Sequence, residues 1–306
     1  MNGHHHQGFI KRTRGLTPLR TAVVHPVDTL SLVGAVEAGK RKLIVPVLVG
    51  PEAKIRAAAR AAKIDLAGYE IVPTEHSAAA AAEAVALARD LKVEALMKGS
   101  LHTDEFMGAI VAEEKLRTAR RMSHVFVIDV PDYPRPLFVT DAAINIYPTL
   151  EDKVDIVQNA IELAHALGNE RPKVAILSAV ETVTSKIRST IDAAALCKMA
   201  DRGQITGGIL DGPLAFDNAV SAEAAKTKGI VSPVAGQADI LVVPDLEAGN
   251  MLAKQLEYLA AAEIAGIVLG ARVPIILTSR ADKTVARLGS CAIALLLARY
   301  EKRARS

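Results

Sequence analysis

The sequence predicts an α/β protein in two lobes, each a mostly parallel sheet covered by helices. Short aliphatic runs alternate with longer amphipathic stretches, aromatics make up only 3% of the 306 residues, and Trp is absent. Strand, helix, strand in repetition means right-handed crossovers and parallel pairing. A core of Ala, Val, Ile and Leu is how helix-covered parallel sheets are furnished.

Aliphatic runs at 21–25, 43–50, 69–73, 94–98, 125–130 and 137–141 read as strands. A second series follows at 174–178, 208–211, 240–244, 266–270 and 274–278. Helical stretches at 51–63, 77–91, 153–167, 247–262 and 283–303 lie between most of them. So many strands exceed what one twisted sheet usually holds, which favours two lobes. Pro148 and the charged Glu151-Asp152-Lys153 mark a natural boundary.

Composition narrows the function. Hydrophobic residues make up 50% and charged residues 23%, enough apolar material for a globular core. The net charge of +3 (37 Lys and Arg against 34 Asp and Glu) is too even for a nucleic-acid binder. Few aromatics are available to stack on bases. The basic groups Lys11-Arg12-Arg14 and Arg117-Arg120-Arg121 read as a solvated tail and a solvated helix end rather than phosphate patches. Cys197 and Cys291 lack metal-ligand spacing and sit in apolar helical patterns, as reduced core thiols of a cytoplasmic protein do. The N-terminus is polar, without a signal peptide, and the longest apolar run, 288–298, is too short to span a membrane. His4-His5-His6 is given no function; it reads as a tag remnant or a natural tail.

In open parallel sheets ligands sit beyond the carboxyl ends of strands, where helix N-termini offer unpaired N–H groups. The residues after the expected strands are Lys98-Gly99-Ser100-Leu101-His102-Thr103, Asp141-Ala142-Ala143-Ile144-Asn145 and Asp211-Gly212-Pro213-Leu214. Pro244-Asp245-Leu246-Glu247-Ala248-Gly249-Asn250 and Thr278-Ser279-Arg280-Ala281-Asp282 complete them. The substrate-binding candidates are Lys98, Gly99, His102, Thr103, Asp141, Asn145, Asp211 and Asn250. Dinucleotide, Walker and α/β-hydrolase signatures are missing, and no carboxylate–histidine cluster has metal spacing.

Each candidate also has a plain structural reading. Ser279 and Asp282 suit capping of the last helix. His102 suits a hydrogen-bonded structural histidine, Asp211 and Asn250 suit turns, Asp141 suits a helix or turn partner, and Gly249 suits a backbone requirement. Arg280 is harder to explain this way, because an Arg opening a helix at a strand's carboxyl end suits bidentate phosphate capture.

The wording of several segments resembles the phosphate acetyltransferase and phosphate butyryltransferase family. They are Asp211-Gly212-Pro213-Leu214-Ala215-Phe216-Asp217, Val234-Ala235-Gly236-Gln237-Ala238-Asp239-Ile240, Pro244-Asp245-Leu246-Glu247-Ala248-Gly249-Asn250 and Thr278-Ser279-Arg280-Ala281-Asp282. The resemblance runs from about His25-Pro26 to the last helix. Leu116-Arg117-Thr118, Ser123-His124-Val125, Thr140-Asp141-Ala142-Ala143-Ile144-Asn145-Ile146 and the stretch from Pro172 to Glu181 look closer to the butyryl branch.

The family implies a two-lobed α/β/α fold like isocitrate and isopropylmalate dehydrogenases, with the active cleft between lobes. Its last helix returns to the first lobe, so the lobes are expected over 1–144 plus 277–306 and over 145–276. The implied chemistry is acyl-CoA plus phosphate giving acyl phosphate plus CoA, with CoA as substrate and no cofactor or metal. Ser279 and Arg280 match the pair at the reacting centre, and Asp282 is the nearest candidate for the base. The acetyl branch carries its acid further along the helix, where Lys283-Thr284-Val285-Ala286 contains none. A homodimer or higher homo-oligomer is implied too. Two rival readings stand beside this one. A metal-dependent decarboxylating dehydrogenase of the same fold would need clustered Asp residues, and a non-catalytic sensor of CoA or acyl phosphate would show no turnover.

Overall fold

Residues 5–278 and 284–305 are described by the computed structural model, in which strand and helix alternate along the chain. The order begins α1 (His5–Arg12), β1 (Leu19–Val24), α2 (Thr29–Lys40), β2 (Ile44–Gly50), α3 (Glu52–Ala62), β3 (Glu70–Pro73), α4 (Ser77–Arg89), β4 (Ala95–Lys98) and α5 (Thr103–Ala112). It continues with β5 (Ser123–Asp129), β6 (Leu137–Thr140), α6 (Leu150–Ala166), β7 (Lys173–Leu177), α7 (Arg188–Asp201) and β8 (Ile209–Leu214). Then come α8 (Phe216–Val220), α9 (Ala222–Thr227), β9 (Ile240–Val242), α10 (Leu246–Leu259), β10 (Glu263–Leu269), β11 (Ile275–Ile276) and α11 (Thr284–Arg305).

Two units result. One holds His6–Arg120 and Ala265–Ser306; the other holds Met1–His5 and Arg121–Ile264. In the N-terminal unit the strand order is β3-β2-β1-β4-β11-β10. Its strands pair in parallel except β10 with β11. In the middle unit the order is β5-β6-β9-β7-β8, parallel except β5 with β6. Both antiparallel pairs join consecutive strands by short connections, which leave no room for a crossover helix. The central strands are buried on both faces, as at Ala22, Val23, Leu96 and Met97 in one unit and Ala175, Leu241 and Val139 in the other.

The boundaries fall at 120/121 and 264/265, not at the expected 144/145 and 276/277. Strands β5 and β6 pair with each other, and β6 with β9, so residues 121–144 belong with the middle unit. Strand β11 pairs with β4, which draws the chain back to the N-terminal unit before residue 277. The Pro148 to Lys153 stretch is a helix start rather than a linker. Thr149 and Asp152 form a reciprocal capping box that satisfies the first N–H groups of α6. Lys153 is buried in an ion pair with Asp192 of α7, 2.7 Å away.

The stretch from His5 to Arg12 is part of the fold. His6 and Phe9 of α1 are buried, and a side chain at Gly289 of α11 would meet the His6 ring at 3.4 Å. The basic groups at 117–121 are engaged as well. Arg117 donates to the Val111 carbonyl, while Arg121 bonds Asn145 and pairs with Asp152 at 3.0 Å. Both cysteines are unpaired thiols, and burial pushes each up to about 12. Among the described residues no helix is long and apolar enough to cross a membrane.

Candidate active site

In the N-terminal unit β1 and β4 end side by side. Gly99 N–H donates to Val24 O and Ser100 N–H to His25 O, each at 2.9 Å. His25 holds a positive φ of 56°, and its Nδ1 lies 2.9 Å from Ser100 O. A Cβ at Gly99 would stand 2.3 Å from Val24 O, so only glycine lets the two strand ends approach this closely. That is a backbone role for a residue expected to bind substrate.

Lys98, the last residue of β4, is 2% exposed, and its Nζ donates to the Thr278 carbonyl at 3.4 Å. Thr278 follows β11 and is buried too. Its hydroxyl accepts a hydrogen bond from Arg287 Nη1 at 3.0 Å. Arg287 is 1% exposed in the body of α11. Its side chain passes Gly34 of α2, where a Cβ would lie 2.4 Å from Arg287 Cδ. Asp28 caps α2 by accepting from Ser31 N–H at 2.9 Å. Burial works to raise its pKa, but bonds from Ser31 and Ser100 and the Arg287 charge hold it below the usual carboxylate value. Neither Asp28 nor Arg287 stood out in the sequence. An Arg on the apolar face of the last helix was the signal available for the second.

His102 and Thr103 follow at the start of α5, both exposed. His102 occupies the N-cap position without a side-chain cap bond, which leaves its imidazole facing solvent. Thus Lys98, Gly99, His102, Thr103 and Thr278 share one sheet end. Ser279, Arg280 and Asp282 lie outside the described residues.

In the middle unit Asp141 and Asn145 follow β6. The buried Asp141 carboxylate accepts from the N–H groups of Ala143, Ile144 and Asn145 and from Asn145 Nδ2 at 2.6 Å. Burial raises its pKa, against the pull of those donors. Asn145 also donates to the Met122 carbonyl. These bonds make Asp141 the organiser of its own turn. Asn250, inside α10 rather than in a turn, donates to Ala142 O at 3.2 Å and joins this group. Asp211 does not: it lies within β8, with β9 and β7 between it and β6, and it accepts from Gly212 N–H. A cavity of about 250 Å³ opens nearby, lined by Tyr147, Lys153, Arg188 and Asp245 among others.

Gly249 is where α10 presses on the Asp141 turn. A Cβ there would lie 2.7 Å from Val243 Cγ2 and 2.9 Å from Ala142 Cβ. Gly249→Ala is expected to destabilise the fold by about 2 kcal/mol despite alanine's better helix propensity, because both neighbours are buried. Urea unfolding measures this, and an unchanged midpoint would show that the turn yields.

Comparison with known proteins places this geometry. Residues 75–295 match the family model described as phosphate acetyl/butaryl transferase. The chain is 64% identical over 291 residues to a phosphate acetyltransferase of Rhizobium meliloti, covering 95% of this chain and 92% of that one. It is 41% identical over 295 residues to a phosphate butyryltransferase of Clostridium beijerinckii, covering 96% and 98%. A branched-chain phosphotransacylase from Enterococcus faecalis V583 matches in structure with a TM-score of 0.79 at 30% identity, covering 91% and 99%. A sheet-end site carrying a buried lysine and the quoted family segments thus come together in one chain, and the chain belongs to the phosphate acetyl/butyryl transferase family, enzymes that exchange a short acyl group between coenzyme A and phosphate.

Proposed function

We propose that the acyl group is acetyl, and that the thiolate of CoA attacks the carbonyl of acetyl phosphate and expels phosphate directly. The observation that carries the acyl choice is the higher identity to the acetyltransferase relative than to the butyryltransferase one. The four-carbon wording seen in the sequence is the competing choice. A base is required because a thiol with a pKa near 8.5 is mostly protonated at neutral pH. Asp282 is proposed for that step, Ser279 and Arg280 for the reacting centre, and Lys98 for the phosphate charge. Lys98 is supported by its burial at the end of β4 and its bond to the Thr278 carbonyl.

CoA is a substrate on this reading, and no cofactor or metal takes part. The cytoplasm suits two unpaired thiols. Exposed Tyr258 and Leu259 on α10 support self-association into a homodimer or larger homo-oligomer. Two α/β units support kinship with the isocitrate and isopropylmalate dehydrogenase fold.

The test is kcat/KM for acetyl, propionyl and butyryl phosphate with CoA, on protein treated with EDTA. Two further methylenes add roughly 1.6 kcal/mol, about fifteenfold, where a pocket has room for them. A pocket closed to them reverses the order, and we expect acetyl to lead by about tenfold. A fifteenfold lead for butyryl would restore the four-carbon assignment, and absence of any thioester would overturn the reaction.

A further inference from the structure

We propose that Arg287 is a positioning residue for the transfer, acting through Thr278 on the Lys98 ammonium. The inference rests on the acyl-transfer reading above.

Three facts support it. Arg287 is a fully buried cation, and burying a guanidinium is costly unless its bonds are fixed. Its Nη1 donates to Thr278 Oγ1, and the carbonyl of the same Thr278 accepts from Lys98 Nζ. The two buried cations therefore converge on one residue, at the carboxyl ends of β4 and β11 where an open sheet receives its ligand.

The slot for Arg287 is specific. At Gly34 a methyl group would overlap Arg287 Cδ, so α2 admits this side chain only because residue 34 is glycine. Asp28, at the head of the same helix, feels the Arg287 charge. A core position in α11 would be filled more cheaply by Leu or Met. What Arg287 adds is direction: its planar fork holds Thr278 at a set height, and Thr278 holds Lys98. A catalytic cation displaced by an ångström loses much of its effect.

The experiment measures acetyl phosphate plus CoA turnover, with melting temperature alongside, for wild type, Thr278→Val, Thr278→Ser, Arg287→Met, Gly34→Ala and the Thr278→Val/Arg287→Met double variant. Thr278→Val keeps shape and loses the hydroxyl, and should lower kcat roughly tenfold with KM for CoA little changed. Thr278→Ser, which keeps Oγ, should recover most of that loss. Gly34→Ala improves helix propensity, yet should reproduce the kcat loss by displacing Arg287. The double variant should be no worse than Arg287→Met, because both break one chain of contacts. If Arg287→Met fails to fold, Thr278→Val decides alone. An active wild type with Thr278→Val unimpaired, or losses that multiply, would overturn the inference. A wild type that forms no thioester would overturn the acyl-transfer reading instead.

Discussion

Lowering the pH from 7.5 to 4.5 is expected to cost the folded state about 3 kcal/mol through one imidazole, that of His124. His124 lies on β5 with 1% exposure, edge-on to Phe126 at 4.3 Å, and its Nδ1 has no hydrogen-bond partner among the described residues. Burial pushes its pKa down from 6.5 to about 3. Above pH 6.5 the imidazole is neutral in both folded and unfolded chains, so it adds no pH dependence. Below 6.5 the unfolded chain binds the proton while the folded one refuses it until about pH 3. Stability therefore falls as the pH drops through that window, by up to about 1.4 kcal/mol per pH unit. Urea midpoints at pH 7.5, 6 and 4.5 measure the slope. His124→Leu should remove one proton's worth of it, and identical slopes in both proteins would show that water reaches the ring.

Strands were legible where physics makes them so. Parallel strands buried on both faces are continuous aliphatic runs, and the expected 21–25, 43–50 and 94–98 fall on β1, β2 and β4. The direction and neighbours of a strand leave no such mark. The expected strands at 266–270 and 274–278 carried no mark of their direction; β10 and β11 form an antiparallel pair, and β11 is only two residues long. The unit boundaries were missed for a related reason. A proline followed by charges marks a helix start as well as it marks a linker, and here Thr149 and Asp152 close a capping box.

The site divides the same way. Lys98 and Asp141 were picked out because each ends an expected strand, but position does not say what a group touches. Asp141 accepts bonds from its own turn, whereas the Lys98 ammonium reaches across to Thr278. Arg287 and Gly34 meet only in the folded chain, so their complementarity could not be read from either helix alone. His102 was read as a substrate-binding candidate or a hydrogen-bonded structural histidine, and it lies exposed at the head of α5.

Replacing Arg280 with alanine is expected to lower kcat/KM a hundredfold or more, about 3 kcal/mol of transition-state stabilisation. In sequence Arg280 falls between β11 and α11, after a strand that pairs in parallel with β4 and before a helix of 22 residues. Expelled phosphate carries the charge that develops as the thiolate attacks, and a guanidinium binds two of its oxygens at once. Arg280→Lys keeps the charge but loses the fork, so it should recover only part of the loss. A cap residue behaves differently: Ser279→Ala or Asp282→Ala would cost about 1 kcal/mol of stability with turnover nearly intact if capping were the whole role. Rate and melting temperature, measured together on each variant, separate the two. Should folded Arg280→Ala turn over at close to the wild-type rate, the phosphate role passes to another cation, and Lys98, buried at the end of β4, is the first to replace.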